Sequence, residues 1–131
     1  MDHDKIRTLA ERYTGAWCSQ TPSKVASFYE EDGSLTVNGG SPALGRSAIT
    51  EVARSFMSDF PDMTVHLDDL AFLDHEIRYY WTLTGTNTDS NGTERKVRIS
   101  GYEVWEIGTN ELIATSHGHF DSEDYQRQMN A

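Results

Sequence analysis

The sequence predicts an α+β fold in which three N-terminal helices pack on one face of a strongly curved, mainly antiparallel sheet. Three observations predict it. Apolar residues in the first half recur at three- and four-residue steps, the period of amphipathic helices. From His75 to Asp121 the period falls to two over three long runs, the period of half-buried strands. Polar turns separate those runs at Asn87–Gly92 (NTDSNG) and Gly108–Asn110 (GTN), as hairpins require. Helices followed by consecutive strands gather on one side of an antiparallel sheet. Strands this long bend, and the bend leaves room beneath the helices for a small molecule.

Ile6, Leu9, Ala10, Tyr13, Ala16 and Trp17 form the apolar stripe of an opening helix. Thr21-Pro22 supplies a cap and a first-turn proline for a second helix, with Val25, Phe28 and Tyr29 facing inward and Glu30-Glu31-Asp32-Gly33 ending it. Ser34–Asn38 alternates as a short strand. Gly39-Gly40-Ser41-Pro42 reads as loop. A third helix runs from about Arg46 to Phe60, with Ile49, Val52, Ala53, Phe56 and Phe60 on one side, until Pro61-Asp62 stops it. Met63–Leu73 is a further strand. The three long strands His75–Thr86, Thr93–Ile107 and Glu111–Asp121 follow.

A turn centred on Thr109-Asn110 pairs Trp105 with Ala114, Glu103 with Ser116 and Gly101 with Gly118. The preceding hairpin then sets Leu83 opposite Val97, Trp81 opposite Ile99 and Ile77 opposite Glu103. One face collects Ile77, Tyr79, Trp81, Leu83, Val97, Ile99, Trp105 and Phe120, and meets the helices. The other collects Arg78, Tyr80, Thr82, Arg98, Ser100, Tyr102, Val104, His117, His119 and Asp121. Polar with aromatic islands, it suits an interface with a second copy of the chain, a homodimer through the outer sheet face. One bulge would exchange the faces beyond it.

At 131 residues the chain is expected to be one domain, residues 1–131. Its single cysteine, Cys18, excludes an internal disulfide and reads as a buried, inert thiol. The opening MDHDKIRTLAERY lacks a signal-peptide core, and no apolar run approaches membrane-spanning length. These features predict a soluble cytoplasmic protein. A net charge of −10 argues against nucleic acid and anionic membranes as partners.

Several segments in succession resemble the nuclear transport factor 2-like superfamily, and most closely its SnoaL-like (polyketide cyclase-like) branch. They are Arg12-Tyr13 on the first helix, FYEEDGSL (Phe28–Leu35), GRSAI (Gly45–Ile49), FPDM (Phe60–Met63), WTLTGTNT (Trp81–Thr88) and FDSEDYQRQM (Phe120–Met129). The resemblance spans almost the whole chain in the right order. It implies a cone-shaped, often dimeric fold that hosts isomerases, cyclases, dehydratases, epoxide hydrolases and pure binding proteins. It also implies cofactor-free chemistry on a small, largely apolar carbonyl compound.

Four residues are candidates for that chemistry. Tyr13 resembles the oxyanion-hole tyrosine of ketosteroid isomerases, whose base aspartate is replaced here by Val37 or Asn38 and whose second aspartate falls near Gly101. A core tyrosine with a satisfied hydroxyl is the structural alternative. Glu103 interrupts an apolar row, where burial raises a carboxyl's pKa towards the range useful to a general acid or base. Reaching water at the strand end and bonding Ser116 are its structural alternatives. Asp121 falls where SnoaL-type cyclases carry an acid/base carboxylate; capping a final helix or pairing with Arg98 are its alternatives. His119 shares one face with His117, a spacing that can chelate metal or simply make an interface pair. We expect neither metal nor cofactor. Trp17, Asn38, Phe56, Phe60, Tyr79, Trp81 and Trp105 are the candidate substrate contacts.

Overall fold

A computed structural model describes residues 1–131. The elements run α1 (His3–Trp17), α2 (Pro22–Ala26), β1 (Tyr29–Val37), β2 (Ala43–Leu44), α3 (Gly45–Asp59), β3 (Thr64–Phe72), β4 (Ile77–Thr88), β5 (Glu94–Ile107), β6 (Ile113–Phe120) and α4 (Ser122–Met129). The strands make one six-stranded sheet in the order β2-β1-β6-β5-β4-β3. Every pairing is antiparallel except that of β1 with β6. The predicted α+β architecture is present, with a fourth helix where the chain ends.

α1 opens with Asp2, whose carboxylate accepts from the Lys5 amide at 2.8 Å, and its predicted stripe is buried. Twenty-four buried residues form one continuous core between the helices and the inner sheet face. The second helix is shorter than expected. It stops at Ala26, and the Phe28 carbonyl already accepts from the Ile113 amide at 2.9 Å. Pairing with β6 thus outcompetes helical continuation. The segment Glu30–Gly33 does not end a helix; it bulges out of β1 where the register jumps between Tyr29 and Ser34. Gly33 permits that excursion, since a Cβ there would stand 3.0 Å from the Glu30 carbonyl oxygen and 3.1 Å from that of Ile113.

The hairpin registers are displaced by two residues from the expected ones. Trp105 lies opposite Ser116, Glu103 opposite Gly118, Gly101 opposite Phe120, and Trp81 opposite Gly101. A slip of two leaves every side chain on its original face. Bulges occur at Asp68 in β3 and Ala114 in β6, the latter turning Ile113 into the core before the expected alternation resumes.

Cys18 departs from expectation. The residue is exposed, while its sulfur donates to the Val65 carbonyl and accepts from the Val65 amide, tying the end of α1 to β3. No helix is long and apolar enough to cross a membrane.

Candidate functional site

Between the helices and the concave sheet face lies a cavity of about 60 Å³, room on the order of four to six water positions or one small organic molecule. α1 contributes Trp17, α3 contributes Val52 and Phe56, and β1 contributes Leu35 and Val37. The sheet adds Val65, Tyr79, Trp81, Leu83, Ile99, Glu103, Gly118 and Phe120. The walls are almost wholly apolar, and Glu103 is the only ionisable carboxyl among them.

Strand alternation places Glu103 on this face, and the neighbouring elements converge on one of its oxygens. Oε1 accepts from the Tyr13 hydroxyl at 2.9 Å, from the Ser116 hydroxyl at 2.7 Å and from the Trp105 indole at 3.0 Å. Because Tyr13 donates there, the 2.8 Å contact between the Tyr13 and Tyr29 hydroxyls runs from Tyr29 to Tyr13. The second oxygen, Oε2, accepts no hydrogen bond from the protein. It is also not sealed from solvent, since the sealed, unpartnered side-chain atoms are Arg78 Nε and Trp81 Nε1 alone.

Burial pushes the Glu103 carboxyl above the usual glutamate range, while the donors from Trp105, Ser116 and Tyr13 pull it back. With Oε1 saturated by donors, the proton of the neutral form sits on Oε2. Burial, and then the nearby Glu103 charge, push the Tyr13 and Tyr29 hydroxyls far up, so both remain neutral donors. Tyr79 is raised as well; its hydroxyl lies 2.5 Å from Thr14 Oγ1, which itself donates to the Ala10 carbonyl. Tyr79 is therefore the donor in that pair, and its hydroxyl is spent on α1.

The expected site residues separate into three groups. Trp17, Phe56, Tyr79, Trp81 and Glu103 line the cavity. Tyr13 and Trp105 are fully buried behind it, with Tyr79 stacked on Trp105 at a centroid distance of 4.8 Å. Tyr13 offers no hydroxyl to a ligand, because that hydroxyl is engaged on both sides.

The remaining four lie elsewhere. Phe60 is sealed in the core and packs edge-on against Tyr125. Asn38 is exposed in a left-handed turn with φ of 50°, and its side-chain oxygen accepts from the Phe120 amide at 2.9 Å. Asp121 is exposed and caps α4, accepting from the Asp124 amide at 3.0 Å. His119 is on the outer sheet face, 5.0 Å from the Tyr102 ring. No three His, Cys, Asp or Glu side chains gather where they could hold a metal ion.

Tyr29, Ser116, Gly118 and Phe120 were not among the expected site residues. The alternation of β6 was the available signal, since Ser116, Gly118 and Phe120 share one face with Glu103 and Trp105.

The SnoaL-like domain family matches residues 10–116. No curated protein matches the chain. Among solved structures it is similar to TsrD from Streptomyces laurentii, at 16% identity and a TM-score of 0.83, covering 98% of this chain and 97% of that one. It is similar also to SalBIII, an epoxide hydrolase/cyclase-like enzyme with a role in pyran ring formation in the polyether salinomycin. There the identity is 16%, the TM-score 0.80, and the coverage 94% of this chain and 95% of that one. A third is a protein of ketosteroid isomerase-like fold from Catenulispora acidiphila in complex with trimethylamine, at 12% identity and a TM-score of 0.80 over 92% of this chain and 90% of that one. The match over most of its length, together with the helix-covered curved sheet, means that the chain belongs to the SnoaL-like domain family.

Proposed function

We propose that this chain takes a small, largely apolar carbonyl compound into its cavity and moves a proton on it through Glu103, with no metal or cofactor. One observation carries the reading: Glu103 lines an apolar cavity with one carboxylate oxygen fixed by three donors and the other taking no hydrogen bond from the protein. A carboxyl so held has a fixed orientation and a raised pKa, as general acid–base work near neutral pH requires. Oε2 takes a proton from the carbon next to the carbonyl. The C–H electron pair becomes the double bond of an enolate, and the same oxygen returns the proton at another atom. Isomerisation, dehydration and ring closure all pass through that sequence.

Cyclohexanone in deuterated water tests it by magnetic resonance. The wild type is expected to exchange the α-protons, and Glu103→Gln to stop this without unfolding. Equal exchange by both chains would discard Glu103 as the base.

A binding-only reading has one observation in its favour. Trp17, Phe56, Trp81 and Phe120 stand around a carboxyl, a setting that suits a small alkylammonium through cation–π contact, and the Catenulispora relative holds trimethylamine. Tight trimethylammonium binding with no α-proton exchange would support it instead.

We also propose a homodimer through the outer face. Tyr80 and Tyr102 lie 5.7 Å apart there, Arg78 stands over the Tyr102 ring at 5.6 Å, and the Arg78 Nε has no partner. A cytoplasmic location belongs with this proposal, which fractionation would check.

A further inference from the structure

The indole Nε1–H of Trp81 is sealed from water and meets no acceptor within the protein. Trp81 stands on the inner face of β4, directly across from Gly101, and its ring is part of the cavity wall. That placement depends on the glycine. A Cβ on residue 101 would come within 2.7 Å of the indole Cζ2 and 3.0 Å of the Phe120 Cβ. Phe120 packs edge-on against the indole at 6.1 Å, holding it from the other side. Buried polar groups in folded chains are nearly always satisfied, so an orphan on a residue that lines the cavity points to a missing partner. An indole N–H only donates, and the partner must therefore be an acceptor.

Glu103 lies two positions from Gly101 on β5, which makes Trp81 and Glu103 diagonal neighbours on one face, their Cβ atoms roughly 7 Å apart. No other hydroxyl nearby is free to compete, since Tyr79 is engaged by Thr14 and Tyr13 by Glu103.

We infer that Trp81 Nε1–H receives the oxygen of the cavity-bound carbonyl compound, and so selects ligands that carry an acceptor near Glu103. The inference rests on the carbonyl reading of the cavity and adds the group that recognises the oxygen. As the α-proton passes to Oε2, the electron pair of the broken C–H bond forms the enolate double bond. The negative charge then rests on the oxygen facing Trp81, where a preorganised donor stabilises it. Return of the proton to carbon restores the carboxylate. An alkane of the same shape would leave the indole unsatisfied, and so would an ammonium ion.

Matched probes test this on the full nitrogen-15-labelled chain. Its three tryptophans give three indole signals, and Trp81→Phe identifies its own by loss. If that variant folds poorly, through-space contacts to Phe120 make the assignment in the wild type. Cyclohexanone is expected to move the Trp81 signal downfield and to bind about five- to tenfold more tightly than methylenecyclohexane, with Trp81→Phe erasing that preference. A ketone that binds and leaves the Trp81 signal in place overturns the inference while the Glu103 reading stands. A preference retained by the variant does the same. If neither probe binds, the inference falls together with the cavity reading beneath it.

Discussion

The Tyr13 hydroxyl on α1 donates to Glu103 Oε1 on β5 at 2.9 Å, joining residues 90 positions apart in the chain. The bond makes Tyr13 a positioning residue. It orients the carboxyl and favours its charged form, while the aromatic rings of Tyr79 and Trp105, at 5.4 and 5.2 Å, hold the phenol edge-on.

Tyr13→Phe removes that donor and leaves the Tyr29 hydroxyl without its acceptor. The loss of stability should be about 1–3 kcal/mol, read by chemical denaturation. With one donor fewer on the carboxylate, the pKa of Glu103 rises further. The pH midpoint of α-proton exchange should therefore move upward, which a purely structural tyrosine would not cause.

Glu103 also sets a pH dependence of stability. Its folded-state pKa is raised, so the folded chain holds a proton that the unfolded chain has already released. Stability that is complete below the ordinary glutamate value of about 4.3 is then lost as pH rises through the folded pKa. Glu103→Gln cannot titrate and lacks this slope. Melting curves across that window should show the variant gaining on the wild type as pH rises, with parallel curves refuting the raised pKa.

Gly101→Ala drives a methyl group into the His119 carbonyl, the Trp81 indole and the Phe120 Cβ. A loss of about 1–3 kcal/mol or more is expected, together with a displaced Trp81 indole signal. An unperturbed indole would mean that the strand yields and the ring stays.

Asp121→Ala deletes the cap of α4 and nothing in the cavity wall. It should cost about 1 kcal/mol, within the range for lost caps, and leave α-proton exchange at the wild-type rate. A collapse of exchange in a folded Asp121→Ala chain would restore this carboxylate as a catalytic candidate.

The outer face is tested by charge. Arg78→Glu or Arg98→Glu should shift a dimer towards monomer by light scattering. A wild type that is monomeric at high concentration refutes the proposed dimer outright.

What the sequence determined by itself was the kind of each long element and, outside the bulges, the face of each residue in the long strands. Periods of 3.6 and 2 are local properties, and side-chain parity survives a register slip of two. That is why Glu103, Tyr79, Trp81 and Trp105 fell on the inner face although every expected cross-strand partner was displaced. The helix cap at Asp121 was legible for the same reason, being a matter of adjacent residues. Tertiary structure alone decided where the polar ends point. The bulges at Glu30–Gly33 and Ala114 answer to pairing with distant strands. The turn that spends the Asn38 side chain on the Phe120 amide answers to it too. So does the convergence of Tyr13 and Trp105 on the carboxylate oxygen that Ser116, the partner expected from the sequence, also holds. Such contacts depend on the curvature of the whole sheet, and no window of neighbouring residues encodes them.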